Sequence, residues 1–124
     1  MDIKRPVNLD ITTIKFPLAA IASILHRITG VILFLGTSVL LYLLQLSLSS
    51  ETGFANAIEL SNRISVKLVI WMLTVCISYH LIAGLKHLLL DLGLGETKVA
   101  AEYGAKILLS SLIFASALAG VWIW

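Results

Sequence analysis

Ile28–Ser50 reads ITGVILFLGTSVLLYLLQLSLSS and contains no charged residue. Crossing about 30 Å of hydrocarbon takes roughly 20 residues of helix at about 1.5 Å each. Hydrocarbon gives unpaired backbone N–H and C=O groups no solvent to bond, so a spanning run of this kind has to be helical. Two further runs repeat the pattern. Leu68–Leu85 reads LVIWMLTVCISYHLIAGL, with His80 as its one imidazole, and Ile107–Trp124 reads ILLSSLIFASALAGVWIW. The sequence therefore predicts an all-α integral membrane protein with three transmembrane helices. They are expected to form a single domain over residues 1–124, with spans at roughly 22–49, 65–91 and 105–124.

Composition leads to the same conclusion. Hydrophobic residues make up 59% of the 124 residues and charged residues 13%, with a mean hydropathy of +1.00. So small a soluble chain could not cover its core with so little polar surface, so the apolar excess is expected to face lipid. The net charge of +2 is too small to suggest a nucleic-acid partner and no basic run is present, so no such partner is expected. Cys76 is the only cysteine, so the chain can form no internal disulfide and no thiolate metal site of its own. Met1–Lys15 is polar and is followed by a span too long for the core of a secretion signal, so no cleaved leader is expected.

The connecting segments Glu51–Arg63, with Gly53, Asn56 and two acids, and Asp91–Glu96, with Gly93 and Gly95, read as loops. Orientation follows from the cations. Lys4, Arg5, Lys15, Arg27, Lys86, Lys98 and Lys106 fall on one side, and Arg63 and Lys67 on the other, seven against two. The N-terminus and second connection are expected to be cytoplasmic, and the first connection and C-terminus outside. Trp71, Trp122 and Trp124 fall at the outer ends of the second and third spans, where an aromatic belt would lie. Pro17 suits the start of the first helix. From there to Leu48 the pattern allows about 48 Å of helix, more than the hydrocarbon needs. Its first turns are thus expected to project into headgroups or against a soluble partner.

Few residues in the spans can carry chemistry. Ser23, His26 and Arg27 stand at i, i+3 and i+4, on one helix face at the inner membrane edge. Together they could bind carbonyl or carboxylate oxygens; alternatively His26 and Arg27 snorkel to lipid phosphates. His80 lies deep in the second span, and a polar group there needs a partner. Gly84, one turn on, leaves room for a flat group. His80 is either an axial haem ligand or a histidine bonded to another helix. His87 projects from the same side of the helix, so the two cannot clamp one haem from opposite faces. Asp91, i+4 from His87 and i+5 from Lys86, suggests an interfacial ion pair, and Cys76 reads as a small buried apolar residue. No carboxylate lies within the uncharged runs 28–50, 68–85 and 107–124, which argues against a proton-coupled exporter or a rotor-ring subunit. The spans hold no G-x-x-x-G, and the chain shows no phosphate loop and no nucleophile–base pair.

Two separated motifs carry a resemblance. Arg5-Pro6-Val7, Ile11 and the run Ser23-Ile24-Leu25-His26-Arg27-Ile28-Thr29, followed by HLIAGLKHLLLD from His80 to Asp91, resemble the cytochrome b membrane-anchor subunit of bacterial succinate dehydrogenase. The likeness covers nearly the whole chain. One position departs, since Lys86 stands where the family usually has Arg, and Lys lacks the bidentate fork. The resemblance implies half of a heterodimeric haem-binding helix bundle in the cell inner membrane. The partners it implies are an FAD flavoprotein that oxidises succinate, an iron–sulfur subunit that relays electrons, and a second small membrane anchor. It implies haem b as shared cofactor, with His80 as one axial ligand and the second anchor supplying the other. It also implies ubiquinone as substrate at Ser23 and Arg27, with His26 and Arg27 near the haem propionates. A quinol:fumarate reductase anchor, and a structural anchor without cofactor, are the alternatives.

Overall fold

Pro17 sets where the first helix begins. The computed structural model describes residues 13–124, so Lys4, Arg5, Pro6, Val7 and Ile11 lie outside the described residues. Pro17 holds φ −65° and ψ 150° as the N-cap of α1, Leu18–Ser49, one position earlier than a first helical residue. Its carbonyl accepts from the backbone N–H groups of Ala20 and Ile21. At 32 residues, α1 is about 48 Å long.

The first connection is not a loop. Ser50 breaks α1 with an extended backbone, and α2, Glu51–Asn62, follows at once. The Ser50 hydroxyl accepts from the Gly53 N–H at 2.9 Å, and Glu51 sits in the first turn, where the helix dipole favours an acid. Gly53 is no helix breaker. It is buried against the end of α1, where a Cβ would strike the Ser49 hydroxyl and the Leu46 carbonyl. Ala57, one turn on from Gly53, is buried with it, while Phe54 and Ile58 stay exposed.

Arg63, in extended conformation, separates α2 from α3, Ile64–Asp91. The second connection is a loop, as expected. The Leu94 N–H donates to the Leu89 carbonyl and the Gly93 N–H to the Leu90 carbonyl, both at 2.9 Å, a Schellman ending. It needs the left-handed backbone of Gly93, φ 78°. The hydroxyl of Thr97 then accepts from the Ala100 N–H and caps α4, Lys98–Ile123.

α1, α3 and α4 are each long and apolar enough to cross a membrane, and the chain is a multi-pass, all-helical membrane protein. The helices meet through small residues. Ala22, Ala83 and Ala105 are buried with Tyr79 and Leu108 at the common core, where short side chains let backbones approach closely. Leu73 of α3 occupies the space that Gly36 leaves on α1. The Tyr79 hydroxyl donates to the Ala22 carbonyl at 2.9 Å. Cys76 is buried, as expected. Outward, Phe34, Val121 and Trp122 are each about four-fifths exposed, an apolar exterior that suits lipid rather than water. Trp71 packs on α4. Its indole N–H donates across to the Ser116 carbonyl of α4 at 3.0 Å and lies beside Gly120, so it joins two helices while Trp122 and Trp124 stay exposed.

Candidate functional site

Tyr79 and Ala22 bring the neighbouring turns of α1 and α3 into contact, and there the imidazoles of His26, His80 and His87 gather. The His26 ring stacks on His80 with centroids 4.1 Å apart and 26° between planes. It tilts against His87 at 5.1 Å and 37°. His26 therefore does not snorkel to the membrane edge. It turns inward across the helix interface.

His80 is held at one nitrogen. Its Nδ1 lies 3.1 Å from the His26 carbonyl and 3.1 Å from the Thr29 hydroxyl. A carbonyl only accepts, so the network assigns the proton to Nδ1. The Thr29 hydroxyl donates its own proton to the same carbonyl at 2.9 Å, which leaves its lone pairs to accept from His80. In this tautomer Nε2 carries a free lone pair, and it makes no hydrogen bond among the described residues. Both sequence readings of His80 are thus compatible, with one nitrogen bonded to another helix and the other available to a metal.

Two glycines make the fit. A Cβ at Gly30 would lie 3.1 Å from His80 Cε1, closer than ordinary contact. A Cβ at Gly84 would lie 3.6 Å from His26 Nε2. The room expected beside Gly84 is thus taken by the His26 ring. That Nε2 is buried and has no hydrogen-bond partner among the described residues, which is costly for a polar atom.

Ser23 is half-buried and Arg27 exposed. Neither makes a side-chain hydrogen bond or ion pair with the described residues, so the structure presents them side by side on α1 without pairing them. The expected ion pair of Asp91 does not form: the ion pairs present among the described residues are Arg63–Glu59 and Lys106–Glu102. Asp91 is exposed on the last turn of α3, and His87 turns to His26 instead. Lys86 extends across α4, with its Cε 3.0 Å from where a Gly104 Cβ would be. Thr29 and Gly30 join the site without being among its sequence-based candidates. Their signal is their spacing, because they stand at i+3 and i+4 from His26 on the same face. Among the described residues no group of three His, Cys, Asp or Glu could hold a metal ion alone.

Fold and site define an all-α, multi-pass membrane subunit with a histidine cluster between its first and second spans. Residues 1–120 match the family described as succinate dehydrogenase/fumarate reductase transmembrane subunit, and the chain belongs to that family. It is similar to the succinate dehydrogenase cytochrome b556 subunit of Coxiella burnetii, 40% identical over 125 residues and covering 100% of both chains. The subunit of the same description from Rickettsia bellii is 34% identical, covering 90% of this chain and 87% of that one. That of Paracoccus denitrificans is 31% identical, covering 90% and 86%.

Proposed function

We propose that the chain is the haem b-binding membrane anchor of a succinate:ubiquinone oxidoreductase. In this role it holds the iron–sulfur and flavoprotein subunits at the inner membrane and helps form the quinone site. Its N-terminus is cytoplasmic and its C-terminus periplasmic, as the cation bias requires. A second small membrane anchor completes the bundle and would provide the other ligand to the haem iron.

The observation that carries this reading is the bonding of His80. A metal-ligating histidine characteristically donates its other N–H to a carbonyl or similar acceptor, which fixes the tautomer and raises the basicity of the ligating nitrogen. His80 does this through Nδ1, leaving Nε2 for iron. The residues around it fit the rest of the group. The unpartnered His26 Nε2 suits a propionate oxygen, and the Arg27 guanidinium supplies a permanent positive charge on the next residue. Haem b bound there would supply one-electron storage between the iron–sulfur subunit and quinone.

Ser23 and Arg27 serve the quinone. Its reduction places negative charge on the carbonyl oxygens. A donor already aimed at such an oxygen stabilises that charge with little reorganisation, by about 3 kcal/mol for one well-placed donor. The Ser23 hydroxyl can donate such a hydrogen bond, and Arg27, one turn on, favours the reduced anionic species.

Substituting His80→Leu in the assembled complex tests the central claim. The reduced-minus-oxidised haem spectrum should be lost or strongly weakened, whereas His87→Leu should keep it. An unchanged spectrum in His80→Leu removes His80 as ligand. The relatives named for succinate dehydrogenase favour succinate oxidation over fumarate reduction, and the ratio of succinate:ubiquinone to quinol:fumarate turnover in one preparation decides the direction.

A further inference from the structure

A histidine with one hydrogen bond can still swivel about its Cβ–Cγ bond. His80 has more than one constraint. Its Nδ1–H is shared between two oxygens, each at 3.1 Å, which are themselves hydrogen-bonded at 2.9 Å. Its Cε1 backs onto the bare Cα of Gly30. His26 covers one face at a centroid distance of 4.1 Å. Thr29 is the member of this set whose side chain has no other evident task. It is buried, with 8% exposure, and a buried hydroxyl is satisfied by bonding back to its own helix. The hydroxyls of Thr37, Thr74, Ser78 and Ser110 do only that, each to the carbonyl four residues earlier. Thr29 bonds its own helix and also reaches across to His80.

We infer that Thr29 is a positioning residue for the haem ligand: with the His26 carbonyl, its hydroxyl clamps the Nδ1–H of His80 and so fixes the plane of the imidazole ring. The inference rests on the proposed ligand role of His80. What it adds is a determinant of ring orientation on a different helix from the ligand. Orientation matters because the plane of an axial imidazole decides which iron d orbital its π orbital overlaps. In a low-spin ferric haem that overlap sets the anisotropy of the g values, independently of how much haem is bound. Gly30 belongs to the same device, since a methyl group there would push the ring out of this plane.

The test uses the complex purified from membranes, with electron paramagnetic resonance of the oxidised haem as the deciding measurement. Thr29→Val and Thr29→Ala both remove the hydroxyl, the first without loss of volume. Each should keep haem bound while shifting the low-spin g values and the haem midpoint potential from the parent's. Thr29→Ser keeps a hydroxyl and should restore both. Gly30→Ala should shift the g values with the Thr29 hydroxyl intact. If Thr29→Val or Thr29→Ala assembles with parental g values and potential, the inference is overturned. It is also overturned if neither assembles while Thr29→Ser does, since the hydroxyl then serves folding. The His80→Leu complex separates the ligand role from the positioning role. If that complex keeps its haem, the ligand assignment has failed; if it loses haem while Thr29→Val stays parental, only the positioning role has failed.

Discussion

The ring of His26 lies on the ring of His80, 4.1 Å between centroids, yet its buried Nε2 makes no hydrogen bond among the described residues. An idle buried nitrogen of this kind costs about 1–3 kcal/mol, so its retention asks for a partner. His26→Phe keeps a flat ring against His80 and removes the nitrogen. If a haem propionate is the partner, the variant complex should assemble but retain several-fold less haem through purification, measured as haem per complex. Haem content equal to the parent's would mean that the nitrogen has no such partner.

Ser23 and Arg27 act on quinone under the proposed function, not on succinate. Ser23→Ala and Arg27→Leu should each slow ubiquinone reduction by ten-fold or more, given a contribution of about 3 kcal/mol from one well-aimed donor. Succinate oxidation by a soluble artificial acceptor should be spared. If Arg27 only reaches lipid phosphate, quinone turnover per assembled complex will match the parent's, and the Ser23/Arg27 assignment is wrong.

Tyr79 ties α3 to α1 through the Ala22 carbonyl at 2.9 Å. Tyr79→Phe deletes that hydrogen bond and leaves the ring. Bonds between membrane helices average about 0.6 kcal/mol and reach roughly 1.7, so the thermal midpoint of the detergent-solubilised complex should fall modestly. An unaltered midpoint would show that the bond contributes nothing to the native state.

Topology is open to a direct check. Seven of the nine cations lie on the side of the N-terminus and second connection, which predicts an outer C-terminus. A reporter fused after Trp124 that works only in the cytoplasm should stay silent, and one that works only outside should be active. The opposite pattern would reverse the orientation.

The spans are legible in the sequence because charge is so costly in hydrocarbon that a run of 18 or more uncharged, apolar residues marks a crossing. The Asp91–Glu96 turn is legible because left-handed backbone demands glycine, and Gly93 and Gly95 supply it. The same rule misleads at Gly53. That glycine is there for closeness to α1 rather than for chain flexibility, so a segment that reads as a loop folds as α2. At the site, the depth of His80 and the shared face of Ser23, His26 and Arg27 follow from spacing. Spacing alone does not show which helix faces His80, so it does not single out Thr29 and Gly30. Gly84 does leave space, but only a tertiary contact decides that His26 fills it. Asp91 and Lys86 have sequence neighbours of suitable charge; the structure leaves the first exposed and sends the second across α4.

The two oxygens that hold His80 Nδ1 both belong to α1, while His80 itself belongs to α3, and α2 lies between these helices in the chain. During synthesis α1 leaves the ribosome first and α3 only after the whole of α2. Until α1 and α3 meet in the bilayer, the imidazole can keep its proton on either nitrogen, and under the proposed function no ordered lone pair would yet await iron. Cofactor capture would thus be coupled to the order of assembly, as a step that a half-packed chain is not ready to take.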